Sequence, residues 1–470
     1  MIKTYSDRSK VVTHQQCPRR RFYTYDFPTS GVGGVVPNKL NIDTTLGSTF
    51  HNGVYHLLNK ASLEEAVGRA LEGDGEWEGY WPSLRAKELQ LEASEDIGYV
   101  YHEQAALAEA LIRGYYYYSL PKLLETYEVV ESERDDHAIF VDEQTDFSLK
   151  WGYRTDALLL DKLSRDLYIL SLKTKKVWNG VRDEKKNHRD MQGLTEIAGV
   201  EYRLRRWQKL LSEIPREKLE QFSGVSGISV DQESIPEWFI SRYLNGAEPI
   251  VHGVKMEFAL KGYRSEYPKG SGQYKYSNPL IRPYKRAEDG LLVKRRGSAG
   301  NQVSGEYALQ WEFKDELGGN HTLGKGWRVL NIWEDMGVKN WIEYCMENEI
   351  QGFQPGYAIE KQFVLPQEYY RNSEDVAHKL SQILKQEGWA AIGREAALRE
   401  LAGGNTEKFF SVLDEFFPQY TDFPHDCNYC PFEVVCYGPD AYKINPLSNP
   451  NFVPRTPNHL AEGPDGIGRL

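Results

Sequence analysis

No stretch of the sequence approaches ~18 consecutive apolar residues, the length a membrane-crossing helix needs. The opening MIKTYSDRSK has no apolar core of the kind a secretory leader carries. The expectation is a cytoplasmic protein with no membrane partner, in a reducing compartment that disfavours structural disulfides. A G-x4-G-K-[ST] phosphate loop is missing, so these residues encode no helicase motor. No internal repeat is found, which argues against a solenoid. Cysteine is scarce, with five residues in 470. In a reducing compartment, clustering among so few points to metal binding or catalysis. A surplus of positive charge is also lacking. Fifty-seven Lys and Arg against 68 Asp and Glu give a net charge of -11, which argues against a simple nucleic-acid-coating protein.

What is present is enough for a sizeable core: 40% hydrophobic residues and 27% charged. The length favours roughly two to four modules, or one core with large insertions. Charge is unevenly spread. Residues 172–209 and 254–296 are each rich in Lys and Arg, whereas acid gathers in 64–95 and 131–146. Local basic surfaces on an acidic chain suit an enzyme that holds a polyanion in a groove, the alternative being solvated charged faces.

Residues 1–120 read as a basic, aromatic opening (CPRRRFYTYDF) followed by helices, the first over 47–59 and others through 62–127. The four tyrosines at 115–118 read as packing. Residues 121–215 carry β-branched and aromatic runs (YEVVESE, AIFVD, FSLKWGYRTDALLLD and DLYILSLKTKK), with a hairpin at Asp161–Arg165 and then a helix over 189–211. Residues 216–330 form a basic and aromatic insertion. Residues 331–440 return to helix (331–349, 372–387, 390–415) and end in a cysteine cluster. Residues 441–470, rich in Pro, Asn and Gly, read as an extended or disordered tail. The order of blocks implies an α/β fold.

Three cysteines stand together in CNYCPFEVVC (Cys427, Cys430 and Cys436), and Cys17 lies far upstream in QCPRRRFYTY. A C-x2-C pair with a third cysteine close behind is a thiolate–metal spacing, and Cys17 is the candidate fourth ligand. A four-thiolate zinc site and an iron–sulfur cluster both satisfy this spacing. Cys345 has no partner motif and reads as a core residue.

Further motifs lie between the cysteines: Gly47-x3-His51 on a helix, Gly152-x3-Asp156 at the end of a strand, Ser171-Leu172-Lys173-Thr174 on the next strand, and a helix opening with Gln192 and carrying Tyr202. In this order, with one cysteine before and three after, the chain resembles the iron–sulfur branch of the PD-(D/E)xK nucleases. That branch includes RecB/AddB-type nuclease domains, CRISPR adaptation nucleases and many phage exonucleases. The resemblance covers roughly 1–60, 125–210 and 415–440. It implies a restriction-endonuclease-like α/β core, a central mixed sheet flanked by helices. It also implies a 4Fe-4S cluster on Cys17, Cys427, Cys430 and Cys436, Mg2+ or Mn2+ at the active site, and hydrolysis of DNA at single strands or ends alongside a recombination or replication partner. Asp156, Lys173, Gln192 and Tyr202 take catalytic positions. His51, Asp156 and the Leu172 carbonyl take metal positions.

The chemistry of the residues agrees. Phosphodiester hydrolysis needs a divalent ion with oxygen ligands. At strand period two, residues 171 and 173 share a face while Leu172 points to the core, so Lys173 is placed to stabilise developing charge. Gln192, Glu196 and Arg203 lie near one helix face. One departure stands out: Ser171 occupies the position where the family has a carboxylate. Glu196 is the candidate substitute. The alternative is a catalytically degenerate, DNA-binding subunit. For DNA contact the candidates are Lys175, Lys176, Arg203, Lys294, Arg295 and Arg296. The tyrosines from Tyr263 to Tyr284, interleaved with Lys and Arg, fit a single-strand stacking surface or a packed β-rich insertion equally.

Overall fold

The computed structural model describes residues 2–29, 33–37, 42–74, 79–80, 107–109, 111–175, 178–180, 182, 191–222, 227–231, 233–261, 372–419, 427 and 430–456. Between 264 and 370 it describes the backbone of short strands. Of the expected helix at 331–349, residue 331 ends the strand Val329–Asn331 and the rest lies outside the described residues, as do Cys345, Lys176, Arg295 and Arg296, and Lys294 is described only as the end of the strand Leu292–Lys294.

The architecture is mixed α/β, with a central six-stranded sheet flanked by helices. At its centre is the strand Phe147–Asp161, buried along most of its length. On one edge it pairs antiparallel with Tyr127–Asp142 over nearly its whole length. The runs read separately as YEVVESE and AIFVD join in this single 16-residue strand, which carries a register shift between Val129 and Glu131. The other edge of Phe147–Asp161 is shared. Ile2–Asp7 pairs parallel with 147–152, and Leu167–Lys175 pairs antiparallel with 157–160. The sheet continues through Gly253–Leu260, parallel to Leu167–Lys175, and ends at Phe363–Tyr370.

The sheet therefore draws on strands well outside 121–215. The opening residues, polar by composition, form a sheet strand with Tyr5, Ser6 and Asp7 buried. The turn after Asp161 joins two antiparallel strands, as the hairpin reading expected.

Two apolar layers cover the sheet. One packs the helix Ile42–Leu58 and the Tyr115–Thr126 region against Ala157, Leu159, Leu170 and Leu172. The other packs the helices Met191–Ser212 and Ser373–Ala402 against the opposite face, around Trp151 and Trp207.

A third core joins the two ends of the chain. Phe22, Tyr23 and Phe27 pack with Phe409, Phe417, Phe432 and Phe452. Part of the segment expected to be an extended or disordered tail is ordered. Asp440–Ile444 is helical, and Phe452–Pro454 pairs with Val35–Pro37. The reason is Phe452, 4% exposed, which stacks on Phe432 and anchors a segment that composition alone reads as polar. Beneath this core Arg21 is buried between Glu387, at 2.5 and 2.8 Å, and Asp26, at 3.0 Å.

Candidate active site and cysteine centre

Along the shared edge of Phe147–Asp161, the last parallel pair is Gly152 with Asp7, and the first antiparallel pair is Ala157 with Leu170. Residues 153–156 lie where the two neighbouring strands part. Asp156 sits in this opening. Its Oδ2 accepts from the Leu172 N–H at 2.6 Å, and its Oδ1 lies 2.9 Å from His51 Nδ1. Burial opposes ionisation, but His51, Lys173 and the Leu172 N–H outweigh it and hold the Asp156 carboxyl at about 2. Asp156 is therefore an anion at any physiological pH.

Both motif glycines have local steric causes. A Cβ at Gly152 would stand 2.2 Å from the Tyr5 hydroxyl, so the Tyr5 ring occupies the space that a side chain at residue 152 would need. A Cβ at Gly47 would stand 3.2 Å from Thr174 Oγ1, which is where the His51 helix approaches the Lys173 strand.

The alternation expected along Ser171-Leu172-Lys173 is present. Leu172 is buried in the apolar layer, and Lys173 Nζ donates to Ser171 Oγ at 2.9 Å and to the Leu172 carbonyl at 3.0 Å. Ser171 is fully buried. From the other side, the Met191–Ser212 helix brings in Gln192 and Glu196. Gln192 Nε2 donates to Glu196 Oε1 at 2.6 Å, while Glu196 Oε2 is buried with no hydrogen-bond partner among the described residues. Burial pushes the Glu196 carboxyl up to about 8, against the pull of Lys173 and with a further push from Asp156. Glu196 thus lies within electrostatic reach of both Asp156 and Lys173.

Arg203, on the same helix, does not join them. Arg203 is 2% exposed and pairs with Glu131 Oε2 at 2.5 Å and Asp136 Oδ2 at 3.4 Å. This corrects the expectation of a DNA contact, because its guanidinium is taken up by internal carboxylates. Tyr202 packs edge-on against Phe140, ring centroids 6.4 Å apart.

In the same basic stretch Arg205 pairs with Glu201 and Arg206 with Glu233, both arginines keeping exposed side chains. Lys175 is half-buried, with its ammonium over the rings of Trp178 and Phe258.

Three residues near the opening were not singled out from the sequence. Glu133 stands across the ladder from Asp156, between the pairs Ser132–Ala157 and Arg134–Thr155. Tyr115 is buried near Asp156 and beside Glu257, and burial raises its hydroxyl well above the usual range. Glu257 is the register partner of Leu172, and burial pushes its carboxyl up to about 8. Each reaches the site through sheet register or a fold-back, which local spacing does not encode.

The four cysteines singled out as ligands are free thiols. They lie within electrostatic reach of one another, since Cys17 and Cys427 act on Cys430, and Cys17 and Cys430 act on Cys436. Burial pushes the Cys430 thiol up and the Cys436 thiol to about 12, with the other thiols adding to the shift. The Tyr437 hydroxyl lies 3.9 Å from Cys427 Sγ. The gathering of four unpaired thiols from both ends of the chain fits a thiolate-bound metal centre. Among the described residues, however, no group of three or more His, Cys, Asp or Glu side chains is already arranged to hold an ion, at this centre or around Asp156.

No protein-family model matches the chain, and no curated protein matches it. No helix among the described residues is long and apolar enough to cross a membrane.

Proposed function

We propose that the chain is a divalent-cation-dependent DNA nuclease of PD-(D/E)xK type, acting on single strands or ends, in which Glu196 replaces the carboxylate missing at Ser171. The observation that carries this reading is the buried, unpartnered oxygen of Glu196 beside Asp156 and Lys173. A buried polar atom without a partner is costly, and such atoms often mark a missing ion or water.

Asp156, Glu196 and the Leu172 carbonyl present hard oxygen donors suited to Mg2+ or Mn2+, with His51 as a nitrogen donor. Such an ion, when bound, supplies the Lewis acid that phosphodiester hydrolysis needs. The chain supplies the rest. Lys173 places an ammonium where charge develops on the phosphate oxygens. Gln192 orients Glu196 through its hydrogen bond. The Leu172 N–H and His51 fix the Asp156 carboxylate from two sides. At the other end, Cys17, Cys427, Cys430 and Cys436 would hold a 4Fe-4S cluster, with structural zinc as the alternative for the same thiolates.

A non-catalytic DNA-binding subunit is the second reading. Ser171 favours it, since its hydroxyl is engaged by Lys173 and brings no charge to an ion. The two are separated by digestion of end-labelled single- and double-stranded DNA with Mn2+, using wild type, Glu196→Gln, Ser171→Asp and the double variant. We expect Glu196→Gln to lower the rate by on the order of 10²-fold or more, and Ser171→Asp to restore part of it in the double variant. A wild type that binds DNA but never cleaves it would establish the second reading.

A further inference from the structure

Packing accounts for three of the four consecutive tyrosines at 115–118. Tyr115 is buried, and Tyr116 and Tyr118 are half-buried against the same apolar layer. Tyr117 is 48% exposed. The backbone explains the difference. Tyr115–Ser119 is a π-helical turn, in which the Leu120 N–H donates to the Tyr115 carbonyl. Its buried residues are Tyr115 and Ser119, and Tyr117, midway between them, is carried to the solvent side. Such turns are rare and frequently mark functional positions.

The surroundings of Tyr117 suit a nucleic-acid base. The Tyr116 ring meets it at 90°, centroids 4.9 Å apart, which fixes its orientation. Lys122 is exposed, and its ammonium lies 3.6 Å from the Tyr118 ring centroid. Lys162 donates to the Leu124 carbonyl. Two cations thus border the turn, against one carboxylate on the helix Leu120–Thr126, Glu125. The turn is also continuous with the candidate active site. Tyr115 packs edge-on against Phe50, and Phe50 edge-on against His51, each with centroids 6.0 Å apart.

We propose that Tyr117 is a stacking platform for a base of single-stranded DNA, with Lys122 and Lys162 taking the adjoining phosphates, within a few nucleotides of the bond held at Asp156. This rests on the nuclease reading and deepens it, because it gives a preference for single strands a physical cause. An unpaired base offers a π-face to an aromatic ring, and cations beside that ring track the backbone. A protein partner would need a contiguous apolar patch, whereas Tyr115, Tyr116 and Tyr118 are turned inward.

The test is fluorescence anisotropy without divalent ions, so that nothing is cut. The probes are a labelled oligothymidylate, the same strand with abasic positions, and a duplex of equal length. The proteins are wild type, Tyr117→Ala, Tyr117→Phe and Lys122→Gln, with thermal unfolding to confirm that each is folded. We expect Tyr117→Ala to weaken oligothymidylate binding by about fivefold or more. Tyr117→Phe keeps the ring and should stay within about twofold of wild type. The abasic strand and the duplex should bind Tyr117→Ala and wild type equally. Lys122→Gln should lower the log–log salt slope on the single strand by about 0.7, and an unchanged slope would remove Lys122 from the surface. Tyr117→Ala binding oligothymidylate as wild type does would overturn the platform, as would an equal loss on all three probes or a wild type that binds no oligothymidylate. If the expected pattern holds but wild type never cuts DNA with Mn2+, the nuclease reading fails and the platform stands. If Asp156→Asn abolishes cleavage while Tyr117→Ala binds and cuts single strands normally, the platform fails and the nuclease reading stands.

Discussion

Replacing Glu257 with glutamine should make the protein more stable, and increasingly so as pH rises. Glu257 lies on the strand beside Leu172, 4% exposed, with the Tyr115 hydroxyl against its carboxyl. Burial raises its folded pKa to about 8, whereas the unfolded chain releases the proton near pH ~4.3. Between those values the folded state holds a proton that the unfolded state has lost. Stability therefore falls as pH rises through this window and levels off above about 8. Each pH unit in the window costs about 1.4 kcal/mol, so the cost from pH 5 to pH 7 is at most about 3 kcal/mol. The effective dielectric of a real interior reduces this to ~1–2 kcal/mol. Glutamine keeps the shape and removes the titration. The assay is thermal unfolding of wild type and Glu257→Gln at pH 5, 6, 7 and 8. The variant's advantage should be small at pH 5 and reach about 2–4 °C by pH 8. A difference that is constant with pH, or that shrinks as pH rises, would show that Glu257 is ionised in the folded protein and would refute the reasoning.

Arg203→Met should lower stability by about 3 kcal/mol, because it leaves Glu131 and Asp136 without their buried cation. It should leave the salt dependence of DNA binding unchanged, and a log–log slope reduced by about one would return Arg203 to the DNA surface. Cys17→Ser should release metal from anaerobically purified protein. Iron with sulfide in the wild type supports the cluster and stoichiometric zinc supports the alternative, while metal retained in the variant would remove Cys17 from the ligand set.

Legibility from the sequence followed the range of the interactions. The hairpin after Asp161 and the facing of Ser171 and Lys173 depend on alternation over a few residues, and both are visible in the bare sequence. So is the pairing of Gln192 with Glu196 one helical turn away. The polar-looking strand Ile2–Asp7 was not visible, because its burial comes from parallel pairing with residues some 145 positions away. Arg203 read as a surface cation because the carboxylates that enclose it, Glu131 and Asp136, lie about 70 residues upstream. The same limit hid Glu133, Tyr115 and Glu257. The tail was misread for a narrower reason: one buried aromatic, Phe452, outweighs the surrounding Pro and Asn.

The pairing of the chain's two ends has a consequence for biosynthesis. Tyr23 hydrogen-bonds across 420 positions to the Lys443 carbonyl, and Val35–Pro37 has its strand partner in Phe452–Pro454. At ribosomal speeds of about 5–20 residues per second, the aromatic residues around Phe22 wait roughly 20–80 s for the segment that covers them. Throughout that interval Phe22, Tyr23 and Phe27 form an uncovered apolar surface on the nascent chain, open to chaperones and to premature association. A ribosome that stops short of residue 409 leaves the surface permanently bare, because Phe409, Phe417, Phe432 and Phe452 all lie beyond that point.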